Sequence, residues 1–240
     1  MPKLLYQLDS YLHTFTTWVS GLDESNHAVI LDSTAFYPGG GGQPYDTGTL
    51  TIGDNTVSIL RSKKSDDNVL HFLVPSINLP PIGTPVVGKL DWDRRYQLMR
   101  THTAMHILCG VIFRDYGASV TGGDMEPLEG RMDFEFETMH KELVQTIQEA
   151  INHEVANNRL VRTAILPRQE AFQIPDLIRT KINLLPENIP QVRIVEIIGL
   201  DLQADGGTHV HATGEVGTIR VVDYKSKGKI NKRIYISLSS

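Results

Sequence analysis

Two histidines four positions apart, His102 and His106, lie in the run RTHTAMHIL. Residues at i and i+4 occupy one face of a helix, so both imidazoles can reach the same point. Far downstream comes Asp205-Gly206-Gly207-Thr208-His209. Its two glycines permit backbone conformations that other residues resist, and a loop of this kind can bring its own ends together around an ion. Two histidines from a helix with a carboxylate and a histidine from a loop make a zinc-type ligand set. Bound by all four, the ion would be structural. With Asp205 held weakly or through water, a position opens for substrate or hydroxide. The plainer alternative is that His102 and His106 simply pack, since both lie on the stripe that would bury the helix. A zinc protease of the His-Glu-x-x-His type is disfavoured, because Thr103 stands where that motif carries its general-base glutamate.

The second chemical feature is the glycine run FYPGGGGQPYDTG, residues 36–48. It is too glycine-dense for a strand interior, and so bare a backbone can approach a ligand closely. It lacks the Gly-Lys-Ser/Thr ending of a phosphate-binding loop. Gln43 within it offers both donor and acceptor groups, which suits a polar substrate. The competing reading is a flexible surface turn.

Elements must position these groups. In the first third, the short apolar stretches HAVILD, TLTI, TVSIL and VLHFLV alternate with Gly, Asn, Asp and Ser turns, which predicts strands and a small barrel. The proline-rich SINLPPIGTP reads as an extended connector, and a domain boundary is expected near Lys89–Asp91. This divides the chain into a β-rich glycine-motif domain, 1–90, and a metal-binding domain, 91–240. From about Asp93 the period changes to that of a helix, with Leu98, His102, Met105, His106, Cys109 and Phe113 on one stripe and a stop at Gly117. RMDFEFE alternates as a strand. A second helix is expected from Met139 to Asn158, with Leu143, Ile147, Ile151 and Val155 inward. VRTAIL, VRIVEI, TIRVVDY and RIYISL read as strands, and QEAFQ as a short helix. The predicted fold class is α+β: a small β-barrel-like domain followed by a two-layer domain with helices on one face of an antiparallel sheet.

The composition, 40% hydrophobic and 21% charged over 240 residues, is that of a globular protein able to bury a core. A net charge of -5 requires any nucleic-acid partner to meet a local basic patch. The single cysteine, Cys109, excludes an internal disulfide and fits a reducing compartment. No signal peptide and no apolar run of about 20 residues is read, so the expected location is the cytoplasm. No obligate protein partner is evident. Lys225, Lys227, Lys229, Lys232 and Arg233 gather at the final hairpin, and Arg94, Arg95 and Arg100 lie on the histidine helix. These are the candidate phosphate contacts, with a solvated lysine turn as the alternative.

Taken together, FYPGGGGQPYDTG, RTHTAMHIL and DLQADGGTHVHATGEVGTIRVV resemble, in order and spacing, the editing domains of alanyl-tRNA synthetases and the free-standing AlaX proteins, of which the medium-length type is the most similar. The resemblance implies hydrolysis of tRNA(Ala) mischarged with serine, and in longer forms glycine, with one zinc ion per chain. Carried over by position, the ligands are His102, His106, Asp205 and His209. The sequence departs at Asp205, where the family usually has cysteine. A carboxylate is a harder donor than a thiolate, which moves metal preference toward other divalent ions. Cys109, one turn past His106, is an alternative ligand or a core residue. Gln43, Thr208 and Thr121 are candidates to meet the serine hydroxyl, and Gln43 and Thr208 are the expected catalytic-site residues. Either the ion lowers the pKa of bound water or it anchors substrate while a water guided by Thr208 or the terminal ribose attacks. Two other functions stay open: a metallohydrolase of another ester, and a non-catalytic RNA-binding module of the same fold.

Overall fold

In the strand Thr14–Asp23 (β2), Phe15, Thr17 and Val19 are buried while Thr14, Thr16 and Trp18 face outward. That period-two alternation gives a sheet one apolar face, and a closed barrel is the arrangement that buries it without exposing edges. This is a computed structural model, describing residues 2–180, 185 and 189–239. β2 pairs with Ala28–Leu31 (β3), and the ring continues through Asn68–Leu73 (β7), Asn55–Ser65 (β6), Gly48–Ile52 (β5) and Pro85–Leu90 (β8), which returns to β2. All six pairings are antiparallel. Phe15, Val19, Leu31, Phe36, Leu50 and Ile59 are among the residues filling the interior. The short strands Lys3–Leu4 (β1) and Ser33–Thr34 (β4) pair in parallel beside it. The barrel expected from the turn spacing is present, but two of its strands are not among the stretches read as β: β2, whose alternation is half threonine, and β8, which the prolines before it disguised as connector.

His71 sits inside this barrel, fully buried. Its Nε2 lies 2.8 Å from the Thr34 hydroxyl and its Nδ1 3.2 Å from the Val29 carbonyl. Thr34 Oγ1 also accepts the Phe36 N–H. The consistent assignment is a neutral ring that donates from Nδ1 and accepts at Nε2. Burial, opposed only by backbone hydrogen bonds to Val29 and Val69, lowers its pKa from 6.5 to about 4. The folded form therefore refuses a proton that the unfolded chain accepts, so stability is full above about pH 6.5 and falls as pH drops toward 4. About 3 kcal/mol should be lost between pH 7.5 and pH 4 through this group. Urea unfolding of wild type and His71→Gln at both pH values measures it. The stability difference between them should shift by that amount, and a pH-independent difference would refute the assignment.

The glycine run is a built turn. Gly39, Gly40, Gly41 and Gly42 all have positive φ, from 58° to 132°, a region that residues bearing a Cβ rarely enter. Gly40 and Gln43 exchange two backbone hydrogen bonds of 3.1 and 2.9 Å. The Tyr37 hydroxyl donates to the Gly40 carbonyl at 2.9 Å. The stem is closed by Asp46, whose N–H donates to Tyr37 O at 3.0 Å and whose Oδ2 accepts the Tyr37 N–H at 2.6 Å. Arg95 is fully buried behind it, forming an ion pair with Asp46 and donating to the carbonyls of Ser10 (2.9 Å) and Ala35 (2.6 Å). Arg95 is thus an internal ligand of the loop stem, not one of the helix's outward cations.

The chain divides into two compact units, Met1–Gln97 and Leu98–Ser240. The division falls inside the helix Trp92–Tyr116 (α1), several residues beyond the linker from which position 90 was expected. In the second unit, residues 98–112 of α1 are buried on every side except at Arg100. The helix is therefore a core element and not the one-striped amphipathic helix expected. The contacts are close on two faces. A Cβ added at Gly110 would lie 2.9 Å from Leu200 Cγ and 3.0 Å from Asp201 Cβ, and one added at Gly130 would lie 3.1 Å from Met105 Sδ.

Two antiparallel sheets, where one was expected, surround it. One has the order Ile219–Ser226 (β14), Asn231–Leu238 (β15), Glu129–Glu135 (β10), Val120–Glu126 (β9). The other runs Val161–Pro167 (β11), Gln191–Ile197 (β12), Asp201–Ala204 (β13). The four-residue helix α3 (Arg168–Ala171) follows β11. Helix α2 (Lys141–Ala156) covers the edge strand β14 and satisfies its backbone: Asn152 exchanges hydrogen bonds with Ile219 at 2.7 and 3.0 Å, and Gln148 accepts the Val221 N–H at 2.7 Å. Its buried residues are Val144, Ile147, Ile151 and Glu154, not the expected stripe with Leu143 and Val155. Glu154 turns the face because Arg114 (2.5 Å) and Arg159 (2.5 Å) neutralise it there.

Candidate metal centre

Helix α1 presents His102 and His106 one turn apart, and the loop after β13 presents Asp205 and His209. These four residues each offer a ligand atom, and the atoms lie within 4.8 Å of one another. Asp205 Oδ1 is 3.6 Å from His102 Nε2, and Oδ2 is 3.0 Å from His209 Nε2. A tetrahedral ion with bonds of about 2.0–2.2 Å holds its ligands roughly 3.4 Å apart, so these separations bracket what one ion needs. The rings of His102 and His209 stack with centroids 4.2 Å apart, and His106 stands edge-on to both. The loop folds this way because Asp205 Oδ2 accepts the Gly207 N–H at 2.8 Å, a side-chain turn typical of Asp. Arg193, buried beneath, donates to the Asp205 carbonyl at 3.0 Å.

Each imidazole is held by a further partner. The ring of His102 is hydrogen-bonded to the backbone of Thr208. His106 Nδ1 lies 3.0 Å from Asp201 Oδ2. His209 Nδ1 lies 3.2 Å from Thr103 Oγ1, which also accepts the Val210 N–H at 3.3 Å. Such partners set the tautomer and aim of ligating histidines. Burial pushes the pKa of His102 down to about 4 and that of His209 well below its usual range. At His106 burial also opposes protonation, but the hydrogen bond and charge of Asp201 outweigh it and raise the pKa. Burial would raise the Asp205 carboxyl, yet the imidazoles of His102, His209 and His106 hold it well below the carboxylate range. An ionised oxygen donor beside neutral nitrogen lone pairs is the state that binds a divalent cation. The residues fit such an ion.

The structure distributes the other expected site residues unevenly. Thr208 is fully buried between Gly207 and His209. Gln43 is 2% exposed within the glycine turn of the first unit. Cys109 is buried, with Gln203 Nε2 3.3 Å from its sulfur, and stands outside the four-residue cluster. Burial raises its thiol pKa well above the usual value, consistent with a core residue. Thr121 is exposed and donates to Asn231 at 3.2 Å. Arg100 donates to the carbonyls of Val216 (3.0 Å) and Ser239 (2.6 Å). Lys232 is buried, with Nζ on the carbonyls of Gly228 (2.8 Å) and Lys229 (2.9 Å). Arg233 forms a two-point pair with Asp133 at 2.6 and 2.7 Å. Lys225 pairs with Asp223 at 3.0 Å on the exposed hairpin, where Lys227 and Lys229 are also exposed. Sequence reading missed Thr103, Arg193 and Asp201. Asp201 carried a signal, as an acidic residue opening the strand that leads into the ligand loop.

Residues 192–235 match the family model described as the threonyl and alanyl tRNA synthetase second additional domain, and residues 12–94 match that of the class II (A) tRNA synthetases. Fold and site thus define a barrel joined to an α+β module with a buried three-histidine, one-carboxylate cluster, of the class related to synthetase accessory domains. Over 240 residues the chain is 40% identical to the alanyl-tRNA editing protein AlaX-M of Saccharolobus solfataricus, covering 99% of both. It is 35% identical to AlaX-M of Methanosarcina mazei, covering 99% of this chain and 97% of that one. The alanine–tRNA ligase of Ignicoccus hospitalis is 37% identical over 92% of this chain, which corresponds to 24% of the ligase. The chain belongs to the AlaX-M family of alanyl-tRNA editing proteins.

Proposed function

We propose that this protein is a deacylase acting in trans in the cytoplasm, hydrolysing the aminoacyl ester of tRNA(Ala) mischarged with serine or glycine, with one zinc ion held by His102, His106, Asp205 and His209. The observation that carries the reading is the convergence of three buried histidines and the half-buried Asp205 in a chain of this family. A bound divalent ion supplies positive charge where the ester carbonyl or its attacking water must be polarised.

The chain's own residues do the rest. His102 and His209, kept neutral by burial, offer lone pairs, and Asp205 contributes the negative charge. Thr208 holds His102 through its backbone, which fixes its place in the centre. Discrimination requires polar groups that serine satisfies and alanine leaves unpaired, since an unsatisfied buried polar group costs far more than a missing methyl. Thr208, buried in the ligand loop, is the residue assigned to that role; Gln43 is proposed separately as the polar recognition group of the glycine turn in the first unit. Glycine must be recognised differently, by a cavity that excludes the alanine methyl. Lys225, Lys227 and Lys229 supply exposed positive charge for the phosphate backbone. The internal partners of Arg100, Lys232 and Arg233 make these three weaker contributors.

Incubating the protein with seryl-, glycyl- and alanyl-tRNA(Ala) tests this. Serine and glycine should be released far faster than in a chelator-treated control, with alanyl-tRNA(Ala) surviving. No release of either beyond that control would refute the proposal.

A further inference from the structure

Asp201 is buried at the first position of β13 and is not a member of the four-residue cluster. It is nonetheless built into it. Its Oδ2 lies 3.0 Å from His106 Nδ1 and accepts from Gln203 Nε2 at 2.7 Å. Gln203 Nε2 is itself 3.5 Å from His106 Nδ1, so the carboxylate is the shared acceptor that both groups face. On its other side, Oδ1 is 3.4 Å from Arg179 Nε, and the Arg179 guanidinium lies 3.7 Å over the Phe113 ring. The backbone also pins the acid: its Cβ would be 3.0 Å from a Cβ placed on Gly110, one helical turn after His106. Only a glycine there lets β13 come so near to α1.

We infer that Asp201 is a positioning residue of the metal centre: it takes the Nδ1 proton of His106 as a hydrogen bond and thereby leaves the Nε2 lone pair for the ion. The imidazole has two nitrogens and one proton when neutral, and a carboxylate at one nitrogen selects the tautomer and makes the other a better donor. Gln203 and Arg179 in turn hold the carboxylate so that one oxygen faces His106. This rests on the metal reading of the cluster, and the test separates the two.

Full-length wild type, Asp201→Ala and Asp201→Asn would be titrated with zinc ion against a chromophoric chelator. The nitrogen-15 shifts of the His106 ring would be read in the metal-free proteins at alkaline pH, where the ring is neutral. Wild type should show the Nδ1–H tautomer. Asp201→Ala should lose that preference and bind zinc about 10–100-fold more weakly. Asp201→Asn, whose amide oxygen still accepts the same N–H, should recover part of both. A general loss of packing would not move the tautomer in one variant and restore it in the other. Wild-type affinity in Asp201→Ala, or an unchanged tautomer, overturns the positioning role alone. Absence of zinc binding by wild type overturns the metal reading and this role with it.

Discussion

Replacing His102 or His209 with alanine should remove most of the stabilisation expected from a divalent ion at the proposed centre. An ion that binds only the folded chain adds about 4 kcal/mol at a thousandfold excess over its dissociation constant. For a unit of this size that corresponds to roughly 10 °C in Tm. Wild type should therefore melt about that much higher with zinc than with chelator. Structural zinc sites bind with about 10–16 kcal/mol shared by four ligands, or roughly 3 kcal/mol for each, so loss of one ligand should weaken binding by about two orders of magnitude. At the same zinc concentration the variants should keep only about 1.4 kcal/mol of that stabilisation, about a third of the wild-type shift in Tm, and deacylation should fall with occupancy. Histidines that merely pack predict the opposite pattern: a lowered Tm that is the same with or without chelator, in wild type as in the variants. Thermal melts with and without added zinc, with elemental analysis of the purified proteins, decide between them.

Arg95→Met should strongly destabilise the first unit. Arg95 and Asp46 are both buried, and removing one partner leaves the other charge uncompensated at a cost of about 3–5 kcal/mol. Asp46 also accepts the Tyr37 N–H, so the stem of the glycine turn should loosen as the charge seeks water. Adding Asp46→Asn to Arg95→Met removes the stranded charge and keeps an acceptor for Tyr37. The double variant should regain a large part of the lost stability. Urea unfolding of the full chain, with hydrogen exchange at residues 37–46, measures both effects. A cost under 1 kcal/mol for Arg95→Met, or no recovery in the double variant, would show that the pair does not hold the turn.

The candidate ligands were legible because local rules place them. Four-residue spacing puts His102 and His106 on one helix face whatever else the protein does, and the two glycines before Thr208 mark a tight loop. The helix stop at Gly117, which has φ of +64°, and the β-rich first third were legible for the same reason. The partners of those ligands were not. Thr103 meets His209 and Asp201 meets His106 across about a hundred residues of sequence, and no period within one element encodes such a pair. The inward face of α2 was misread because Glu154 counts as polar until Arg114 and Arg159 are known to surround it. Arg95, likewise, looks like a surface cation beside Arg94 until Asp46 is seen to neutralise it.

By itself, then, the order of residues determined which side chains could bind an ion, where the strands alternate and where the backbone must be glycine, because each depends only on near neighbours. Tertiary structure alone decided which charges are buried, which lysines and arginines remain exposed, and which nitrogen of His106 faces Asp201. Those outcomes depend on desolvation and on groups brought together from distant positions in the sequence.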